Sequence, residues 1–287
     1  MAIIVDYSGV AIANLFAMKM NKIDENLVRH MILNSLRMYN VKYRKEYGQM
    51  ILACDGGNTW RKEIYPQYKA QRKKNREESS IDWKEFFRVL GMVRDEIREY
   101  VPFKVVHLQG VEADDVIATI VERTQGFGQH EPVMIVSADK DFIQLQQFSN
   151  VRQFSPMTKA LVKDPNPLRY LQEHVLRGDS GDGVPNVLSA DDVFVSGGRQ
   201  TPLRAKLIDE WVTNWNQLDK TMSIEQYRNF QRNQKLIDLS AIPAHKKAEI
   251  INTFESVKAG NNTLNYLISR RCTQLIECAA EFNSSTL

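Results

Sequence analysis

No stretch of this 287-residue chain approaches the roughly 20 consecutive apolar residues of a membrane helix, so a membrane-spanning segment is not expected. The opening MAIIVDYSG enters an apolar run without a preceding basic stretch, which is not the pattern of a secretory signal peptide. Cysteine is scarce. Cys54, Cys272 and Cys278 are an odd count with no C-x-x-C pair, which argues against a disulfide framework or zinc cluster and for a reducing cytoplasm. Low-complexity tracts and internal repeats are missing as well. The first apolar run is followed by Asp6-Tyr7-Ser8-Gly9-Val10, with neither the G-x-G-x-x-G of a dinucleotide site nor the D-x-D of an aspartyl-nucleophile phosphatase. His30, His107, His130, His174 and His245 fall outside the motifs described below, and no Ser/His or Cys/His arrangement offers a nucleophile.

What the chain does have is acid at recurring places. Asp6, Asp55, the Glu112/Asp114/Asp115 cluster, Asp139 with Asp141, and Asp179 with Asp182 each stand where a strand should end or a helix or turn begin, in AIIVD, MILACD, GVEADDVIA, MIVSADKDF and RGDSGDGVP. A parallel sheet delivers its strand ends to one edge, so most of these groups should converge there. Crowded carboxylates repel one another unless cations neutralise them, and oxygen-only ligands suit a hard divalent ion such as magnesium. Taken singly, Asp6 and Asp55 suit a helix N-cap or turn, and EADD suits a helix macrodipole; the joint order is the stronger signal. GDSGDG lacks the bidentate Glu of an EF-hand and is not read as a calcium loop.

The 38 Lys and Arg nearly balance the 35 Asp and Glu; with the nine acids above set aside, 26 remain and the surplus is twelve positive charges. A basic body around an acidic cleft suits a metal-dependent enzyme acting on polyanions, with ordinary scatter of surface charge as the plainer alternative.

Apolar patterning predicts strands over 2–6, 49–54, 103–108 and 132–137. They alternate with helices over 24–47, 82–100 and from Glu112, and a short helix follows Asp139. That alternation predicts an α/β fold: a mostly parallel central sheet with helices on both faces. After about residue 165 helical patterns prevail, over 167–177, 201–215, 224–237, 244–255 and 262–281. The expected division is 1–165, an α/β core carrying a basic segment at 60–81, and 166–287, a helical C-terminal region. In the basic segment seven cations between Arg61 and Arg76 face one acid, Glu63, with Tyr65 and Tyr68 interleaved. Such a stretch can bind phosphates through its cations and stack bases on its rings.

The ordered series strand–D, strand–D, E-x-D-D, D-x-D, G-D-x-x-D resembles the 5′-nuclease (flap endonuclease) superfamily, whose fold is PIN-like. The stretch RKEIYPQYKAQR resembles that superfamily's R-x-x-x-Y-P-x-Y-K-x-x-R segment. REESSIDW and FSPMTKALVK are most similar to the ribonuclease H group of T-even-type phages. The chain departs from the pattern after Asp182, where GDGVPNVLSADDVFVSGG replaces the glycine-rich hairpin that often holds a potassium ion; Gly198 comes late and the G-x-G is missing.

The resemblance implies a two-metal 5′→3′ nuclease that degrades the RNA of RNA–DNA hybrids and DNA from 5′ ends, cuts flaps and removes primers in replication. It implies two Mg²⁺ ions, with Mn²⁺ able to substitute. One would lie near Asp6, Asp55, Asp114 and Asp139 and the other near Asp141, Asp179 and Asp182, with Glu112 and Asp115 acting directly or through water. Lys69 and Arg72 would act at the scissile phosphate, both facing the cleft if the segment is helical. Arg61, Lys62, Tyr68, Lys73, Lys74 and Arg76 would contact nucleic acid, with Tyr68 either stacking on a terminal base or packing in the core. The C-terminal region would carry a helix-hairpin-type DNA-binding element. Expected partners are an RNA–DNA hybrid and 5′-flap or nicked duplex DNA. A sliding clamp and a single-strand DNA-binding protein are partners that replication enzymes of this type commonly have. The expectation is a monomer, off the membrane, in the cytoplasm (the host's if phage-encoded). The last stretch, RRCTQLIECAAEFNSSTL, reads either as a core helix or as a partner-docking face. Two alternatives stay open: a catalytically inactive, structure-specific DNA-binding relative, and a PIN-type ribonuclease.

Overall fold

The computed structural model describes residues 1–18 and 22–283. The strands are β1 (Ala2–Asp6), β2 (Gln49–Cys54), β3 (Lys104–His107), β4 (Val133–Val136), β5 (Val151–Ser155) and β6 (Ala160–Val162). The helices, in chain order, are α1 (Tyr7–Ala17), α2 (Glu25–Tyr47), α3 (Arg61–Ile64), α4 (Gln71–Glu77), α5 (Trp83–Tyr100), α6 (Ala113–Gln125), α7 (Pro167–Arg177), α8 (Ala205–Thr213), α9 (Leu218–Thr221), α10 (Ile224–Ile237), α11 (Ala244–Ser256), α12 (Thr263–Ser269) and α13 (Thr273–Ile276).

By its contacts the chain falls into two compact units. The first holds residues 1–57, 80–163 and the chain from Ala244 onward; the second holds Asn58–Ser79 and Asp164–Pro243. The change of pattern expected near residue 165 therefore marks the start of the second unit's longer piece, yet a single cut does not describe the chain. The basic segment groups with 164–243, because Tyr65 and Tyr68 are buried in that unit's core with Val175, Leu176 and Phe230. From Ala244 the chain returns to the first unit, where α11 packs on α6 and β3, and Tyr266, Leu267, Leu275 and Phe282 join the core.

In the first unit the sheet has the order β3-β2-β1-β4-β5-β6, parallel except for the β5–β6 hairpin. Its central strands read as unbroken apolar runs because both faces are covered. Ile3, Val5, Met50, Leu52, Val105 and Val136 face the core built with α1, α2 and α5. The alternate residues Ile4, Ile51, Ala53 and Ile135, also buried, point to the opposite face, where α6 packs on β1, β2 and β4. Helices α2 and α5 start at Asp24 and Asp82, whose carboxylates cap the backbone N–H of Leu27 and Glu85.

The helix expected over 262–281 is broken after Ser269. Arg271 takes a left-handed backbone conformation (φ +54°), Cys272 N–H donates to the Leu267 carbonyl at 2.8 Å, and Arg271 N–H donates to Ile268. This is a Schellman stop with arginine where glycine is usual, so the sequence carries no punctuation for it. Leu275 and Phe282 are buried in the first unit's core, which is the packing alternative for the tail; its last four residues lie outside the described chain.

Candidate active site

Each acid of the first unit is aimed by the backbone that follows its strand. Asp6 ends β1 and caps α1: its Oδ1 accepts from Gly9 N–H at 2.8 Å, and its Oδ2 accepts from the Ser137 hydroxyl at 2.8 Å. Gly9 is needed for this approach, since a Cβ there would lie 2.3 Å from Asp6 Oδ2. Ser137 in turn accepts from Asp139 N–H at 3.1 Å, so one hydroxyl couples the ends of the adjacent strands β1 and β4. Asp139 caps the 3₁₀ helix Lys140–Gln147 by accepting from Asp141 N–H at 2.9 Å. Gln153 on β5, fully buried, donates to the carbonyls of Ser137 (3.1 Å) and Asp139 (2.6 Å).

Asp55 follows β2, and its Oδ1 accepts from Ala113 N–H at 3.0 Å at the start of α6. There Glu112 and Asp115 form a reciprocal capping box, with Glu112 N–H donating to Asp115 Oδ2 at 2.9 Å, while Asp114 is half-buried on the first turn. Asp6, Asp55 and Asp139 thus follow the C-terminal ends of adjacent parallel strands, and the hydrogen bond between Asp55 and Ala113 ties in the Glu112–Asp115 cluster. Capping and convergence are the same geometry here. A helix N-terminus that orients a carboxylate also fixes where its second oxygen points.

The donor set at this edge is oxygen only, the chemistry of a hard divalent ion. Asp55 makes no ion pair with a described residue. Ser137, Gln153 and Gly9 were not singled out from the sequence. Ser137 could have been found from the S-A-D spacing before Asp139; Gln153 carries no local signal, because its role depends on β5 lying beside β4.

The second unit holds the remaining predicted residues. Asp179 and Asp182 sit in a tight loop closed by paired backbone bonds between Asp179 and Val184 (2.8 and 2.7 Å). Asp179 Oδ1 accepts from Gly181 N–H at 2.8 Å. Gly178 (φ +68°) makes this closure possible, as a Cβ there would lie 2.3 Å from the Val184 carbonyl oxygen. Buried Asp182 receives the Tyr68 hydroxyl at 2.8 Å, the Lys69 ammonium at 3.4 Å and an Arg72 guanidinium contact. Burial is the largest influence on its carboxyl and pushes the pKa up. The Lys69 and Arg72 charges and the Tyr68 hydrogen bond together outweigh it and hold the group below the usual carboxylate range.

Lys69 and Arg72 converge without the continuous helix assumed from their spacing. Lys69 is left-handed (φ +58°), donates its N–H to the Asp182 carbonyl at 2.8 Å, and precedes α4. Tyr68 is buried, so its ring is a core contact and not an exposed stacking platform. Arg61 is a correction to the nucleic-acid set, whereas for Tyr68 burial matches the core-packing alternative. Arg61 is buried, with Nε donating to the Leu236 carbonyl at 2.9 Å and its guanidinium 4.6 Å from the Trp60 ring centre, because it anchors α3 to α10. Lys62, Lys73, Lys74 and Arg76 are exposed, as a phosphate-contacting face requires.

The sequence profile described as "5'-3' exonuclease, N-terminal resolvase-like domain" matches residues 1–173, and that described as "T4 RNase H, C terminal" matches residues 170–282. The chain belongs to the 5′-3′ exonuclease family. It is similar to the ribonuclease H of Enterobacteria phage T4, with 30% identity over 97% of this chain and 95% of the relative. Family membership makes it a nuclease, and hence a hydrolase. Among solved structures, the bacteriophage T5 D15 flap endonuclease in a pseudo-enzyme–product complex with DNA and metal ions aligns with a TM-score of 0.62. That match has 20% identity and covers 89% of this chain and 99% of that one. The T5 D15 protein co-crystallised with metal ions aligns with a TM-score of 0.59 at 20% identity, covering 89% and 98%. These likenesses show the shared resolvase-like, PIN/5′-nuclease fold.

Proposed function

We propose that this chain is a divalent-metal-dependent 5′→3′ nuclease that removes RNA from RNA–DNA hybrids and DNA from 5′ ends and flaps, as in primer removal during replication. The observation that carries the reading is the gathering of oriented carboxylates at the C-terminal edge of β1, β2 and β4 and at the start of α6. Asp6, Asp55, Glu112, Asp114, Asp115, Asp139 and Asp141 are the proposed metal-holding residues of the first unit, and Asp179 and Asp182 those of the second. Two magnesium ions, replaceable by manganese, would supply a bound water of lowered pKa and neutralise charge on the phosphate.

The chain's own groups do the remaining work. Ser137 and Gly9 N–H hold the Asp6 carboxylate in one orientation, and Gln153 holds the backbone that presents Asp139. Lys69 and Arg72 are the proposed cations for charge developing on the phosphoryl oxygens. Lys62, Lys73, Lys74 and Arg76 would attract the nucleic-acid backbone. Partners in such a role would be 5′-flap, nicked or hybrid duplexes, together with a sliding clamp and a single-strand DNA-binding protein.

The experiment is a time course of product length from a 5′-labelled RNA–DNA hybrid and a 5′-flap DNA, with Mg²⁺ and with EDTA, beside Asp139→Asn. Short 5′ products that require both metal and Asp139 are expected. Tight binding with no cleavage by the unaltered protein would overturn the reading in favour of an inactive DNA-binding relative.

A further inference from the structure

Away from the carboxylate edge, the first unit carries a groove of about 450 Å³ that the nuclease reading does not use. It runs between the last turns of α2 and the β5–β6 hairpin. Met134 and Arg152, the second residues of β4 and β5, lie in its lining, so it opens toward the N-terminal ends of strands whose C-terminal ends lead to the acids. Tyr43, Tyr47 and Phe154, all largely buried, form its aromatic floor, with the Tyr43 and Phe154 rings edge-on at 5.9 Å. Leu161 is 46% exposed at its lip, and Met157 in the hairpin turn is 63% exposed. Around this floor stand Lys42, Arg152 and Lys159, none of which makes an ion pair with a described residue, against one acid, Glu46. The Lys42 ammonium lies 4.3 Å from the Phe154 ring centre and 4.9 Å from that of Tyr43, so its charge rests over the groove.

Strand β6 is the last in the sheet, and no described backbone pairs with its outer edge. An exposed strand edge with an apolar lip is normally blunted by charge or covered by a partner. Here three of the four neighbouring charges are positive, and they sit beside a pocket that fits one or two side chains. We infer that this groove and the β6 edge together dock an extended acidic peptide of a partner protein, which adds a strand to β6 and seats an aromatic or aliphatic side chain between α2 and β5. Strand addition supplies affinity through main-chain hydrogen bonds, and the pocket supplies selectivity. A nucleic-acid strand matches the cations but has no backbone N–H to pair with β6. The chemistry therefore favours a peptide bearing carboxylates alternating with apolar residues.

The test uses the full chain and a fluorescein-labelled nonapeptide of alternating Asp and Val with a central Phe, read by anisotropy. A version with Lys in place of Asp and a nine-nucleotide oligothymidylate serve as competitors. The acidic peptide should bind and should protect the amides of residues 160–162 from hydrogen exchange. The double variant Arg152→Glu/Lys159→Glu should weaken binding by about tenfold or more, and Leu161→Ala should weaken it less. Cleavage of a flap oligonucleotide by the double variant should match that of the unaltered protein, which separates this inference from the nuclease reading. Equal affinity for the Lys peptide, unchanged affinity in the double variant, or displacement of the acidic peptide by the oligonucleotide would each overturn it.

Discussion

In the first unit, Asp6, Asp55 and Asp139 are oriented by backbone N–H groups and a hydroxyl; in the second, Asp182 is held by the charges of Lys69 and Arg72. A neutral donor fixes a carboxylate's direction and leaves its net charge for a cation to neutralise. A cationic partner satisfies the charge outright, and whatever replaces it must compete. Of these acids, Asp55 makes no ion pair with a described residue, whereas Asp182 is already paired with Lys69 and Arg72, which its proposed metal role would have to displace.

The largest effect that would break this contrast is expected from Asp55→Asn. The amide still offers an oxygen to Ala113 N–H, so α6 should start as before and the melting temperature should change little. Metal-supported cleavage should fall by about a thousandfold or more, read in single-turnover kinetics. A rate within tenfold of the unaltered protein would mean that Asp55 is only a cap.

Lys69→Ala comes next. Loss of one preorganised cation should slow the chemical step by about a hundredfold while substrate affinity changes by less than about threefold. An equal loss in both would reduce Lys69 to a binding contact.

Smaller is the pH response of the Asp182 contact. The folded carboxyl titrates below its usual value, so the ionised form belongs to the native state. Its contribution is complete above the unfolded pKa near 3.8 and fades as pH falls through the lowered folded value. In EDTA, Asp182→Asn should cost about 1–3 kcal/mol near neutral pH, with the gap to the unaltered protein narrowing in acid. A gap that stays constant down to pH 2 would show that packing alone stabilises the loop.

Smallest is the salt slope. Lys73→Ala and Lys74→Ala should each lower the slope of log affinity against log salt by about one, with little change in cleavage rate at saturation. Unaltered slopes would remove α4 from the nucleic-acid face.

The parts legible in the sequence share one property: their physics is local. AIIV, MILAC and VMIV read as strands because burial on both faces leaves no polar interruption. Helices expected from 24 and 82 do start there, because capping by Asp24 and Asp82 is decided within three residues. What escaped depends on distant chain. The β5–β6 hairpin, VRQFS and ALV around Pro156, has no regular alternation and becomes a strand pair only beside β4. Helix α1 follows Asp6 without a turn, its start set by the close approach of Gly9. Lys69 and Arg271 adopt left-handed conformations that neither residue type signals. In the site, acid order along the chain was readable, whereas Ser137 and Gln153 act across strands and Arg61 and Tyr68 look like ligand contacts until their burial is known.

The return of the chain to the first core sets the order of events during synthesis. The sheet's strands leave the ribosome early, but the Phe282 ring that packs 6.1 Å from Phe103 and the Tyr266 ring stacked 5.3 Å from Tyr100 arrive after the whole second unit has been made. Until then the core around the C-terminal end of α5 lacks these two rings, although α2 and β3 already pack on the helix. A nascent chain stalled before Thr263 would expose an incomplete core to chaperones and proteases, and a truncation there would remove a wall of the molecule rather than an appendage.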